Sequence, residues 1–209
     1  GAREILGDGL PLRTPSFCTG CPERPIFSAL KILEKELGPA HISADIGCHT
    51  FAALPPFNVG NTVMGYGLGL ASSAGLAPSF HKRVISIMGD GGFWHNGMTS
   101  GVAAAQANGN DAVLLVVKNG YTSATGWQLL PSSLRDRKGN KRDMSIEKVL
   151  RGFGVRWLKT VRTYSIDRMV KTLRKAMTTA EGGLKVIIAD GECQLARQRR
   201  IKPEVAKRL

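Results

Sequence analysis

Apolar residues recur at Ile26, Leu30, Leu33 and Leu37, the three-to-four spacing of a helix that buries one face. Gly38-Pro39 then stops it, so a helix is expected over 24–37. His41–Ile46 is a short β-type run that ends at Gly47-Cys48, and residues 52–62, AALPPFNVGNT, are a Pro-containing loop. GYGLGLASSAGLA (65–77) is rich in small residues and predicts a buried helix packed closely on a neighbour; a glycine-rich phosphate loop competes, without the Lys of a P-loop. Arg83–Met88 and Ala112–Val117 are apolar strands. Between them GDGGFWHNG (89–97) reads as a turn and Met98–Asn108 as a helix. Residues 120–143 form a long polar loop. A helix at Ile146–Phe153, a strand at Val155–Val161, a helix at Ser165–Ala180 and a strand at Leu184–Ala189 follow. The tail is expected to be helical until Pro203 interrupts it.

Strands alternate with helices, and each crossover is long enough to make neighbouring strands parallel. The expected fold is therefore α/β: a doubly wound, mostly parallel sheet with helices on both faces. Three regions are expected: a lead-in segment over 1–17, a ligand-binding domain over 18–195 and a basic tail over 196–209. A length of 209 residues with 43% hydrophobic content suits one such domain. No apolar run is long enough for a membrane span, and the start has no secretion signal, so the expected compartment is the cytoplasm. The first residue is not Met, and the sequence reads as a piece of a longer protein.

Charge narrows the partners. The net charge is +13, with basic clusters in RDRKGNKR (135–142) and RQRRIK (197–202). Such a balance favours anionic ligands or an acidic protein, or is simply a solvated basic face. Neither an aromatic platform for single strands nor a basic reading helix is present, so nucleic acid is not expected.

In open parallel sheets, ligands bind beyond the carboxyl ends of the strands. Asp90 follows one strand and Asn119 follows the next, so both belong on that rim. Gly89 and Gly91 flank the carboxylate, which would let backbone N–H groups approach a phosphate. The positive N-terminus of the following helix would point to the same place. A carboxylate, an amide oxygen and a backbone carbonyl are ligands that magnesium accepts while sharing phosphate oxygens. The bland alternative is an exposed Asp in a turn and an ordinary loop Asn.

Four cysteines are present: Cys18, Cys21, Cys48 and Cys193. The first two form a C-x-x-C pair; Cys48 and Cys193 each follow a strand and belong on the same rim. Four thiolates suit a 4Fe–4S cluster or a structural zinc. One close pair with two distant singles favours iron–sulfur over the paired spacing of a zinc ribbon, while unconnected buried thiols are the plain alternative.

Gly-Asp-Gly followed 29 residues after its Asp by an Asn at a strand end resembles the thiamine diphosphate signature. FCTGCPERPIF (17–27), ADIGCHTFAALPP (44–56), GDGGFWHNGMTSG (89–101) and KNGYTSATG (118–126) together resemble the thiamine-binding domain of 2-oxoacid:ferredoxin oxidoreductases, most of all the indolepyruvate branch. The resemblance runs from about Pro15 to Arg200. It implies magnesium held by Asp90, Asn119 and the Tyr121 carbonyl, and a 4Fe–4S cluster held by Cys18, Cys21, Cys48 and Cys193. The cofactor would lie among Gly47, Cys48, His49, Gly89, Asp90, Gly91, Gly92, Asn119, Tyr121 and Thr122, with Thr125 nearby. The implied reaction is oxidative decarboxylation of a 2-oxoacid, an aryl-pyruvate such as indolepyruvate, to acyl-coenzyme A and carbon dioxide. Electrons would pass through the cluster to ferredoxin. A pyrimidine-binding domain or subunit is the implied partner, within an oligomer, and without it the chain would be inactive.

Where several relatives place a basic residue after the G-C step, this chain has His49, Thr50 and Phe51, which fits aryl-pyruvates better than pyruvate and leaves the carboxylate's partner open. His49 and His95 are the candidates for direct contact, although a structural or solvent-facing role is the stronger expectation for each; His41 and His81 precede strands and carry no expected chemistry. Two other classes remain: a non-redox thiamine diphosphate-dependent decarboxylase with incidental cysteines, and a basic, zinc-stabilised binding module.

Overall fold

A computed structural model describes residues 1, 4–5, 7, 14–133, 135–141 and 144–206. Much of the expected lead-in segment, Arg142 in the first basic cluster and the end of the basic tail lie outside the described residues.

Six parallel strands make the sheet: β1 (Ile42–Ala44), β2 (Thr62–Val63), β3 (Ile85–Gly89), β4 (Val113–Lys118), β7 (Trp157–Arg162) and β8 (Lys185–Asp190), in the order β2-β1-β3-β4-β8-β7. Strands β5 (Tyr121–Thr122) and β6 (Gln128–Leu129) form a separate antiparallel hairpin. Helices α1 (Arg24–Leu37), α2 (Gly69–Leu76), α4 (Ile146–Gly152), α5 (Ile166–Thr178) and α6 (Gln194–Ala206) surround it. A further helix, α3, is continuous through three pieces: Asp90–Gly92, a π-helical Phe93–Ala103 and Ala104–Ala107.

Alternation along the central strands explains the two cores. On β4, Val113, Leu115 and Val117 face one way with Ile187 and Ala189 of β8, against α1 and α5. Leu114 and Val116 face the other way with Val186 and Ile188, against α2, α3 and α4. A strand buried on both faces has no polar side to alternate with, which is why VLLVVK is nearly all apolar. Lys118, its last residue, is half-buried at the rim.

Four expectations change. The stretch 89–97 is not a turn: α3 begins at Asp90. Glycines stand inside it because it packs at close range; a Cβ on Gly97 would strike Met88, and one on Gly101 would press on Leu70. The long polar loop contains the β5–β6 hairpin, and β2 lies in what reads as plain loop. Pro203 sits inside α6 without ending it at that residue.

Candidate functional site

The chain runs from β1 to β2 on one side and returns to β3 on the other, so the strand order reverses between β1 and β3. At such a point the connections leave in opposite directions and open a crevice above the strand ends. A cavity of about 360 Å³ lies there. All ten residues expected around the cofactor line it: Gly47, Cys48 and His49 after β1, Gly89 to Gly92 at the end of β3, and Asn119, Tyr121 and Thr122 beyond β4. Thr125 lines it too. A larger cavity of about 450 Å³ opens among Pro39, Ile42, Lys82 and Asp111 at the opposite, amino-terminal rim. It contains none of the motif residues, so the smaller cavity is the candidate site.

Asp90 ties the rim together. It is 1% exposed. Its Oδ2 accepts hydrogen bonds from the backbone N–H of Asn119 at 3.0 Å and of Gly120 at 2.7 Å, and its Oδ1 accepts one from Gly91 at 3.0 Å. The tips of β3 and β4 are thus joined through one carboxylate. Burial pushes its pKa up to about 7, although the three N–H groups work in the opposite direction. The Asn119 Oδ1 accepts from the Tyr121 N–H at 3.1 Å and from the Ser123 hydroxyl at 3.0 Å. The Tyr121 carbonyl accepts more weakly from Ser123, at 3.4 Å.

The flanking glycines serve another end than expected. The N–H of Gly89 is directed to Asp45 Oδ1 at 3.4 Å, and that of Gly91 to Asp90. Each is occupied within the protein. A Cβ on Gly91 would strike the hydroxyls of Tyr66 and Thr122, and one on Gly92 would strike the Asp45 carboxylate. These positions lack side chains because the walls of the site close on them.

Three site residues lie within quoted segments but were not singled out by them. Asp45 is fully buried. It accepts from the Gly67 N–H at 2.9 Å and pairs through Oδ1 with His49 Nε2 at 2.7 Å. Burial disfavours an imidazolium at His49, but the hydrogen bond and charge of Asp45, helped by Glu23, outweigh it and raise its pKa above the ordinary histidine value. Glu23 is 2% exposed and lines the cavity. Its pKa is pushed up to about 7 by burial, against the nearby His49 and a hydrogen bond with the Asn119 side chain. Tyr66 supplies a third wall, its hydroxyl sharing a 3.1 Å hydrogen bond with Thr122. A charged residue inside an otherwise apolar run, as in ISADIG, and an acid directly after C-x-x-C-P were the available signals.

The four cysteines gather beside this cavity. Cys21 lies within electrostatic reach of Cys18 and Cys48, and Cys48 within reach of Cys193. All four are free thiols. The Cys21 N–H closes a turn on the Cys18 carbonyl at 3.1 Å, and the Cys193 N–H donates to the Asn119 carbonyl at 3.1 Å. Burial and the neighbouring Glu23 push the Cys21 and Cys48 thiols up to about 12. Among the described residues, no three His, Cys, Asp or Glu side chains stand close enough to hold a single metal ion.

Of the remaining histidines, His95 is exposed and stands over Tyr66, ring centroids 5.0 Å apart, outside the cavity lining. His41 shares a hydrogen bond with Thr62 at 3.2 Å, and His81 is exposed at the opposite rim.

The family described as thiamine pyrophosphate enzyme, C-terminal TPP binding domain matches residues 45–189. The chain is 31% identical over 199 residues to the indolepyruvate oxidoreductase subunit IorA of Methanothermobacter thermautotrophicus, covering 93% of this chain and 32% of that protein. It is 33% identical over 186 residues to the IorA subunit of Archaeoglobus fulgidus, covering 88% and 29%. The chain thus spans about a third of the length of these curated relatives. Its fold is similar to a 2-oxoglutarate:ferredoxin oxidoreductase from Magnetococcus marinus, with a TM-score of 0.72 at 16% identity over 88% of this chain and 66% of that one.

Proposed function

The chain belongs to the thiamine pyrophosphate enzymes, through their C-terminal TPP-binding domain, and on that premise we propose that it is the thiamine diphosphate-binding part of an indolepyruvate-type 2-oxoacid:ferredoxin oxidoreductase. The observation that carries this reading is the joining of Asp90 and Asn119 across the tips of β3 and β4, in one cavity with every residue expected around the cofactor.

The residues suit the metal and the diphosphate. Asp90 accepts three N–H bonds and keeps room for one more partner; its raised pKa marks a buried negative charge that a cation would relieve. The Tyr121 carbonyl would be a further oxygen ligand. Asn119 Oδ1 already accepts two hydrogen bonds, so ligating a cation requires one of them to open. The N-terminus of α3 opens onto the cavity at Asp90–Gly92, where its dipole favours phosphate.

Cys18, Cys21, Cys48 and Cys193 are assigned to a 4Fe–4S cluster. One close pair with two distant singles, gathered beside the cavity, is the pattern that favours an iron–sulfur core over a zinc ribbon.

Bound thiamine diphosphate would supply the nucleophilic carbon and the electron sink that decarboxylation of a 2-oxoacid needs. The protein's own contribution is to anchor and to order charge. Asp45 holds His49 at the cavity wall and favours its charged form, which would make it a partner for the substrate carboxylate where relatives use a basic side chain. Walls made by Tyr66, Thr122 and the β5–β6 hairpin narrow the access of water. A pyrimidine-binding domain or subunit, coenzyme A and ferredoxin complete the proposed assembly.

The test uses the full-length protein purified anaerobically with its partner subunits. Calorimetric titration with thiamine diphosphate and magnesium should show tight binding that Asp90→Ala abolishes, and analysis should find iron and sulfide. Stoichiometric zinc without thiamine diphosphate binding would overturn the proposal. Bound cofactor with no iron would reduce it to a non-redox decarboxylase.

A further inference from the structure

Glu23 stands at the first boundary of α1 but makes no side-chain cap to that helix. It turns inward instead, to 2% exposure on the cavity wall. One carboxyl oxygen is engaged by the Asn119 side chain. The other, Oε2, is buried with no hydrogen-bond partner. An unpaired carboxylate oxygen in a dry site is costly, and it persists where a ligand supplies the missing partner.

The surroundings restrict what that partner is. His49, Asp45 and Asp90 all act on Glu23 electrostatically: His49 favours its charged form, while the two neighbouring carboxylates disfavour a further anion beside it. The N-terminus of α3 opens onto the cavity on the Gly91–Gly92 side. Cys21 and Cys48 adjoin Glu23 on the other side. A positively charged group beside the metal-binding rim and the thiols would give Oε2 the partner it lacks.

Resting on the thiamine diphosphate reading above, we propose that Glu23 is a cofactor-contacting residue whose carboxylate faces the cationic thiazolium ring. The proposal separates from a rival role in which Glu23 is one more magnesium ligand. A magnesium ligand would support any diphosphate ligand equally. A partner of the ring charge would support only a ligand that carries the charge.

The experiment compares thiamine diphosphate with 3-deazathiamine diphosphate, the isosteric analogue with a neutral ring, by magnesium-dependent calorimetry on the full-length protein with its partner subunits. In Glu23→Gln, thiamine diphosphate is expected to weaken about tenfold relative to the analogue, the scale of one lost charge contact at a partly desolvated site. Glu23→Asp keeps the charge but withdraws it by one methylene, and should shift the ratio in the same direction by about threefold. That variant carries the test if the Gln form does not fold. Equal weakening of both ligands means a structural or magnesium-binding role and overturns the proposal, as does an unchanged ratio. If the unmodified protein binds neither ligand, the thiamine reading itself fails. If it binds both and only the ratio fails to move, that reading stands and the role of Glu23 falls.

Discussion

Gly91 and Gly92 are adjacent, and neither has room for a side chain, yet the obstacles differ. At Gly91 the added Cβ meets the hydroxyl ends of Tyr66 and Thr122, which can rotate away. At Gly92 it meets the Asp45 carboxylate, which is locked by His49 and by the Gly67 N–H. Overfilling a rigid site costs about 1–3 kcal/mol, and yielding side chains bring the figure towards the lower end. Gly92→Ala should therefore lower stability by about 2–3 kcal/mol and Gly91→Ala by about 1 kcal/mol. Urea unfolding of the two variants side by side checks the order; equal losses would mean that the hydroxyls are as fixed as the carboxylate. Gly91→Ala should still weaken cofactor binding, because displaced Tyr66 and Thr122 move into the cavity they line.

Elements are held in register by a charge cluster at the rim opposite the site. Arg83, just before β3, donates to Asp111 at 2.7 Å and to the carbonyls of Met177 and Glu181 near the end of α5. Lys185, at the start of β8, is fully buried and ion-paired with the same Asp111. Removing the carboxylate leaves the ammonium buried and unpaired, but Asp111 is itself half-exposed and solvent screens the pair, so Asp111→Ala should cost about 2 kcal/mol, and adding Lys185→Met should recover most of it. Chemical denaturation of the two single variants and the double variant measures this. Acid should act through the same residue. Burial raises the Asp111 pKa, but Arg83 and Lys185 outweigh it and hold the pKa below its ordinary 3.8. A depressed folded pKa gives stability that is fully present above the ordinary value and is lost as pH falls through the folded one. The urea midpoint should therefore drop on acidification below pH 3.8, less steeply in Asp111→Asn. An identical acid slope in both proteins would remove Asp111 from the account.

The long elements were legible because burial imposes a period or an unbroken apolar run, as at Ile26, Leu30 and Leu33 of α1 and throughout β4. β2 was not, since two residues at a sheet edge are too few to show a pattern. The start of α3 was hidden for a better reason. Glycine and asparagine signal a turn locally, while here close packing against Asp45 and Met88 selects glycine within a helix. The site was legible where a motif fixes spacing, as for Asp90 and Asn119. Glu23 and Asp45 lay inside quoted motifs, but their roles depend on burial and on mutual proximity, which spacing does not carry.

At the scale of the molecule, charge and the proposed electron path fall in one place. Helix α6 starts directly after Cys193 and presents Arg197, Arg199, Arg200 and Lys202 on its exposed surface. Arg200 pairs with Glu192 at 2.7 Å. Arg199 lies over the Trp127 ring, 3.7 Å from its centroid, and so fastens α6 to the loop that closes the cavity. Under the proposed function, the acceptor takes electrons from a cluster beside Cys193, and a net charge of +13 steers an acidic protein to this molecule. Steering between exposed charges is screened over about 8 Å at physiological salt. The second-order rate of ferredoxin reduction should therefore fall steeply as salt rises, while turnover at saturating ferredoxin should change little. Arg197→Glu with Lys202→Glu should lower that rate about tenfold at low salt and flatten its salt dependence, leaving the cluster's visible spectrum unchanged. Neither residue holds the loop, so a changed spectrum or altered cofactor affinity would point to lost structure. A rate that keeps its salt slope in the double variant would place the docking surface elsewhere on the molecule.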